Sequence, residues 1–93
     1  MTTSTKTTAS VADRLKELSD LVGRLDVPEM STDVRVVGNV AEITFHASRD
    51  AARLIGAVQA VYAYTGCAPD MGERKDCCWY EWLIDGIPVV VFA

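Results

Sequence analysis

Hydrophobic and polar positions along this chain fall into four patterned stretches. In the first, Val11, Leu15, Leu18, Val22 and Leu25 recur at alternating steps of four and three, with Leu21 beside them and Asp13, Arg14, Lys16, Glu17 and Asp20 between. That spacing predicts an amphipathic helix of about four turns. Ser10, with Asp13 three residues on, has the form of a capping box at its start, and Asp26-Val27-Pro28 ends it, because proline disfavours the helical conformation in its predecessor. Residues 32 to 46 alternate with period two about Gly38-Asn39, a pair that suits a type II′ turn. Counting outward from Val37 opposite Val40 places Val36, Val34 and Thr32 against Ala41, Ile43 and Phe45 on one face. The other face carries Arg35 against Glu42 and Asp33 against Thr44.

The third stretch predicts a helix from about Arg49 to Tyr64, capped by Ser48 with Asp50 in the first turn and ended by Gly66. Its expected core face is Ala51, Leu54, Ile55, Val58, Val61 and Tyr62. Gly56, Ala57, Ala60 and Ala63 flank it with small side chains that invite a close neighbour. Residues 67 to 76 combine turn formers with charge and predict the longest loop. Last, Asp85-Gly86 separates two runs of aromatic and β-branched residues, the signature of a hairpin with a type I′ turn. This register sets Ile84, Trp82, Tyr80 and Cys78 against Ile87, Val89, Val91 and Ala93. Its second face holds Trp79 against Phe92, with Leu83, Pro88 and Val90 alongside and Glu81 alone polar.

The order is thus α-ββ-α-ββ. The simplest fold is α+β, a four-stranded antiparallel sheet with two helices packed on it. Residues 1–9, rich in Thr, form a disordered or extended arm, and residues 10–93 a single domain. The arm has neither the apolar core of a signal peptide nor a membrane anchor, so the expected location is the cytoplasm of the cell that makes it. A net charge of −4 with nine scattered Lys and Arg residues argues against direct nucleic-acid binding, which needs a clustered basic face, and suits a basic protein partner or simply solubility.

No catalytic constellation completes itself. Cys67, Cys77, Cys78 and His46 supply zinc-ligand types, yet no C-x-x-C pair is present, and adjacent Cys77 and Cys78 on a strand point to opposite faces. Free thiols and no cofactor are expected. His46 is the single histidine and continues the wet face of Glu42 and Thr44, so an enzyme using Cys77 or His46 is the least supported class. Asp70, Glu73 and Asp76 share the expected loop with Arg74 and Lys75, a mixed-charge surface. Trp79, Glu81, Val90 and Phe92 make a face too apolar for water, which either the first helix covers or a partner does.

The amphipathic helix, the hairpin ending in Val40 to His46, the Ala-rich helix and the terminal LIDGIPVVVFA hairpin together resemble small accessory proteins of actinobacterial phages and mobile elements. The resemblance spans residues 11 to 93 as a pattern of elements. It implies an origin rather than an activity. The leading expectation is a non-enzymatic protein-binding protein, inhibiting a host enzyme or defence complex by an acidic surface made of Asp70, Glu73 and Asp76 with the Trp79 face. The alternative is a structural homo-oligomer, first of all a dimer, whose seam is Val11, Leu15, Leu18, Val22 and Leu25.

Overall fold

A computed structural model describes residues 10–38 and 40–93, so the expected arm at 1–9 and the turn residue Asn39 lie outside the described residues. Helix α1 runs Val11–Leu25 and is followed by strands β1 (Ser31–Val37) and β2 (Val40–His46). Helix α2 (Ala51–Thr65) leads to β3 (Asp70–Arg74), β4 (Cys77–Ile84) and β5 (Ile87–Phe92). Among the described residues the fold is α+β, with two helices and a five-stranded mixed sheet in the order β1-β2-β5-β4-β3. No described helix is long and apolar enough to cross a membrane.

Both hairpins take the register that period-two patterning dictates. Val37 faces Val40, Val34 faces Ile43, and Arg35 lies opposite Glu42 with Nη1 3.3 Å from Oε1. In the terminal hairpin Ile84 faces Ile87 and Trp79 faces Phe92, while Ala93 donates its N–H to the Cys78 carbonyl at 3.0 Å. Asp85 and Gly86 have φ of 51° and 81°, the double left-handed conformation of a type I′ turn.

Two features of the sheet correct the four-stranded antiparallel expectation. Residues Asp70–Arg74, expected as loop, pair with Glu81 to Cys77 as a fifth, edge strand. Their charge and glycine hid them, since an edge strand needs no apolar alternation. The two hairpins also join in parallel, Ile43 to Val89 through His46 to Phe92, and Ala47 extends the ladder by donating to the Phe92 carbonyl at 2.8 Å. β5 is apolar on both faces, so the centre of the sheet is where it buries most.

Both helices lie on one face. Leu18, Leu21 and Leu25 from α1 and Ala57 and Val61 from α2 close over Ala41, Ile43, Phe45, Trp82, Ile84, Val89 and Val91. Trp82 satisfies its indole by donating Nε1–H to the Cys67 carbonyl at 2.9 Å. Ser10 caps α1 as expected, accepting from the Asp13 N–H at 3.1 Å. At α2 the cap is Asp50, accepting from the Arg53 N–H at 3.2 Å, and not Ser48. Ser48 and Arg49 take left-handed φ of 53° and 62°, turning the chain sharply out of β2 before a helix can begin.

The core face of α2 is also rotated from expectation. Ala57 and Val61 are buried, whereas Ile55 and Tyr62 are exposed. Arg53 and Gln59 are almost its only polar interior residues, so periodicity has little to work with and packing decides. Its small residues do receive a close neighbour. A Cβ on Gly56 would stand 2.8 Å from Pro28 Cγ.

The expected seam on α1 is divided. Leu18 and Leu25 belong to the chain's own core and are unavailable to a partner, while Val11 and Leu15 remain 61% and 39% exposed. Leu18→Ala should therefore cost about 2–5 kcal/mol in denaturant titration and Ile55→Ala, at an exposed helix position, under about 1. Equal costs would contradict this packing. Gly86→Val, forcing a β-branched residue to positive φ, should destabilise by more than about 1 kcal/mol, and a cost below about 0.5 would rule out the type I′ turn.

Candidate functional site

With both helices on one side, the opposite face of the sheet has no helix over it among the described residues. The expectation of α1 as a cover for Trp79 is corrected, because Leu18, Leu21 and Leu25 of α1 point to the other face. Cross-strand partners point the same way, so the registers define rows across this open face. One row runs Gly72, Trp79, Phe92, His46 and Ser31 from β3 to β1. The next runs Asp70, Glu81, Val90, Thr44 and Asp33.

The first row is an aromatic belt. Trp79 and Phe92 have ring centroids 5.7 Å apart at 33°, and Phe92 and His46 stack at 6.2 Å and 21°. Such offset and tilted contacts suit ring quadrupoles and contribute about 0.5–1.5 kcal/mol beyond area burial. Trp79 also lies over Gly72 of β3. A Cβ on Gly72 would meet the indole Cε2 at 2.1 Å, so only glycine leaves room for the ring there. At the far end His46 donates Nε2–H to Asp33 Oδ2 at 3.0 Å, which fixes the imidazole against Phe92.

The second row is an acidic band. Asp70 lies directly opposite Glu81, a like-charge pair that weakens the ladder by up to about 1 kcal/mol. Neither carries an ion pair among the described residues. Asp33 closes the band at the opposite edge. Beyond the belt, Arg49, Arg74 and Lys75 line an open groove of about 650 Å³ with Cys77 and Cys78, but Glu73 and Asp76 share it and offset their charge.

Of the residues picked out by patterning, the fold brings Trp79, Glu81, Val90, Phe92 and Asp70 onto one surface. Glu73 is separated, because strand alternation turns it to the helix side, and Asp76 sits in the β3–β4 turn. His46 and Asp33 join the surface unforeseen. Their wet-face assignment was legible, but their place in the belt depends on β2 lying beside β5. Cys67, Cys77 and Cys78 carry no disulfide, and the described residues hold no group of three or more His, Cys, Asp or Glu placed to share a metal. Compared with known proteins, the chain matches no family model, no curated protein and no solved structure.

Gly72→Ala tests the geometry of the belt. Its Cβ should expel the Trp79 ring, shifting indole emission to longer wavelength and reducing the near-ultraviolet circular dichroism signal while the far-ultraviolet spectrum is kept. Unchanged spectra would show that Trp79 does not rest on β3.

Proposed function

We propose that this protein is a non-enzymatic binding module that docks a basic protein segment on the open face of its sheet. The observation that carries this reading is the adjacency of two rows, an aromatic belt of Trp79, Phe92 and His46 beside the carboxylates of Asp70, Glu81 and Asp33. Aromatic faces attract guanidinium and ammonium groups, and the neighbouring carboxylates pair with them. An arriving cation also relieves the Asp70 and Glu81 repulsion, so part of the binding energy is held in the unbound face. A chain of net charge −4 steers such a partner in and repels polyanions.

One form of this function is inhibition, in which the face occupies a basic groove that a host enzyme or defence complex uses for nucleic acid. Catalysis has less support, because His46 is committed to Asp33 and Phe92 and neither contact supplies a nucleophile.

An arginine-rich decapeptide is a direct probe. Its NMR shift perturbations should concentrate on Trp79, Glu81, Val90 and Phe92, and its affinity should fall with added salt. Trp79→Ala and Glu81→Lys should each weaken it at least about tenfold without altering the fold. Perturbations centred on another surface, or affinity indifferent to both substitutions, would overturn the proposal.

A further inference from the structure

The sheet has two edges, and they differ in what they can pair with. β1 is seven residues long, Ser31-Thr32-Asp33-Val34-Arg35-Val36-Val37, and no described strand lies outside it. Val37 is 61% exposed and the Asp33 and Arg35 side chains each 64%, while Val34 and Val36 are half-buried against the core on the helix face. Two residues separate Val37 from Val40, so that pair is of the hydrogen-bonded kind, and alternate pairs follow suit down the ladder. The main-chain N–H and C=O groups of Thr32, Val34 and Val36 therefore point away from β2, into the free edge.

We infer that a second copy of this chain adds to that edge, β1 antiparallel to β1, to form a dimer with one continuous ten-stranded sheet. Only residues whose main-chain groups point outward can centre such a pairing. Centring it on Val34 lets the strands overlap along their whole length and sets Thr32 against Val36 in both directions, giving about six new main-chain hydrogen bonds. The same register places Asp33 of each copy opposite Arg35 of the other. Both are closely spaced non-hydrogen-bonded pairs, and both join opposite charges on the open face. On the helix face Val34 meets Val34.

The β3 edge fails the same test. Arg74 and Cys77 flank its two-residue turn, so Met71 and Glu73 are the outward residues. Centring on Glu73 opposes glutamate to glutamate, and centring on Met71 overlaps only Asp70 to Gly72, three of the five residues, against all seven for β1. The registration that would join Asp70 to Arg74 needs Gly72 at the centre, whose main-chain groups are already spent on β4.

Helix α1 supports the β1 pairing. Arg24 and Leu25 face the end of α2, and Arg14 and Glu17 face the β4–β5 turn. Leu15 and Val22 stand two positions from Glu17 and Arg24, hence on the far flank of a helix that turns about 100° per residue, over the β1 side. Because α1 packs on β1 and β2, two such helices related by a two-fold axis beside β1 would lie roughly 10 Å apart, the ordinary distance for packed helices. Val11, Leu15 and Val22 then meet their counterparts. This recovers a helix seam without Leu18 and Leu25. The two-fold axis is perpendicular to the sheet, so both aromatic belts open on the same side and the dimer offers two docking faces to one partner.

Light scattering of the wild type at about 100 μM should give twice the chain mass. In hydrogen exchange the Thr32, Val34 and Val36 amides should be protected. Val34→Pro removes an outward donor without touching the β1–β2 ladder, and should give a folded monomer in which the Thr32 and Val36 amides exchange freely. Arg35→Asp, a surface change that spares the core, should weaken dimerisation at least tenfold by opposing Asp33 to aspartate, and adding Asp33→Arg should restore the dimer. A monomeric wild type, a dimer whose three amides exchange freely, or a dimer indifferent to Arg35→Asp would each overturn the inference. A monomer that still binds the arginine-rich peptide through Trp79 would refute the dimer and leave the binding function standing.

Discussion

The parallel contact between β2 and β5 is the constraint on which the rest of this structure depends. It joins two hairpins that are each locally determined and makes one sheet of them, with Ile43, Phe45, Val89 and Val91 side by side beneath the helices. β5 is Ile-Pro-Val-Val-Val-Phe, a strand with apolar side chains on both faces, and only an interior position gives both faces neighbours. Once it is central, β4 and β3 must extend to one side and β2 and β1 to the other.

That placement also sorts the chemistry. On the helix face it yields a conventional core, in which a methylene lost costs stability. On the opposite face it brings Phe92 between Trp79 and His46, whose strands are far apart in sequence, and so converts three separate side chains into one belt. The row beside the belt carries three acids, Asp70, Glu81 and Asp33, with Val90 and Thr44 between them. An unpaired like-charge contact such as Asp70 opposite Glu81 is tolerated where only the edge of the sheet is weakened.

The edges follow from the same order. β3 is short and charged, and Trp79 lies over its one glycine, which are ways of discouraging further pairing. β1 is longer and has a charge order that discourages random pairing but complements itself in one register. The two edges of one sheet thus differ in length and in which residues point outward.

Patterning along the chain determined both hairpin registers, the type I′ turn at Asp85-Gly86, the Ser10 cap and the existence of both helices, because each of these is set by neighbours within a few residues. It also identified Trp79, Glu81, Val90, Phe92 and Asp70 as surface of interest from alternation and composition. Tertiary structure alone decided that residues 70–74 form a strand, that β2 and β5 run parallel, that α1 sits with α2 and leaves the Trp79 face open, and that His46 completes the belt. Each of those outcomes depends on which segment lies beside which. An edge strand has no apolar period to announce it, an Ala-rich helix has too little polar contrast to orient itself, and the pairing of distant strands is settled by total burial rather than by any local preference.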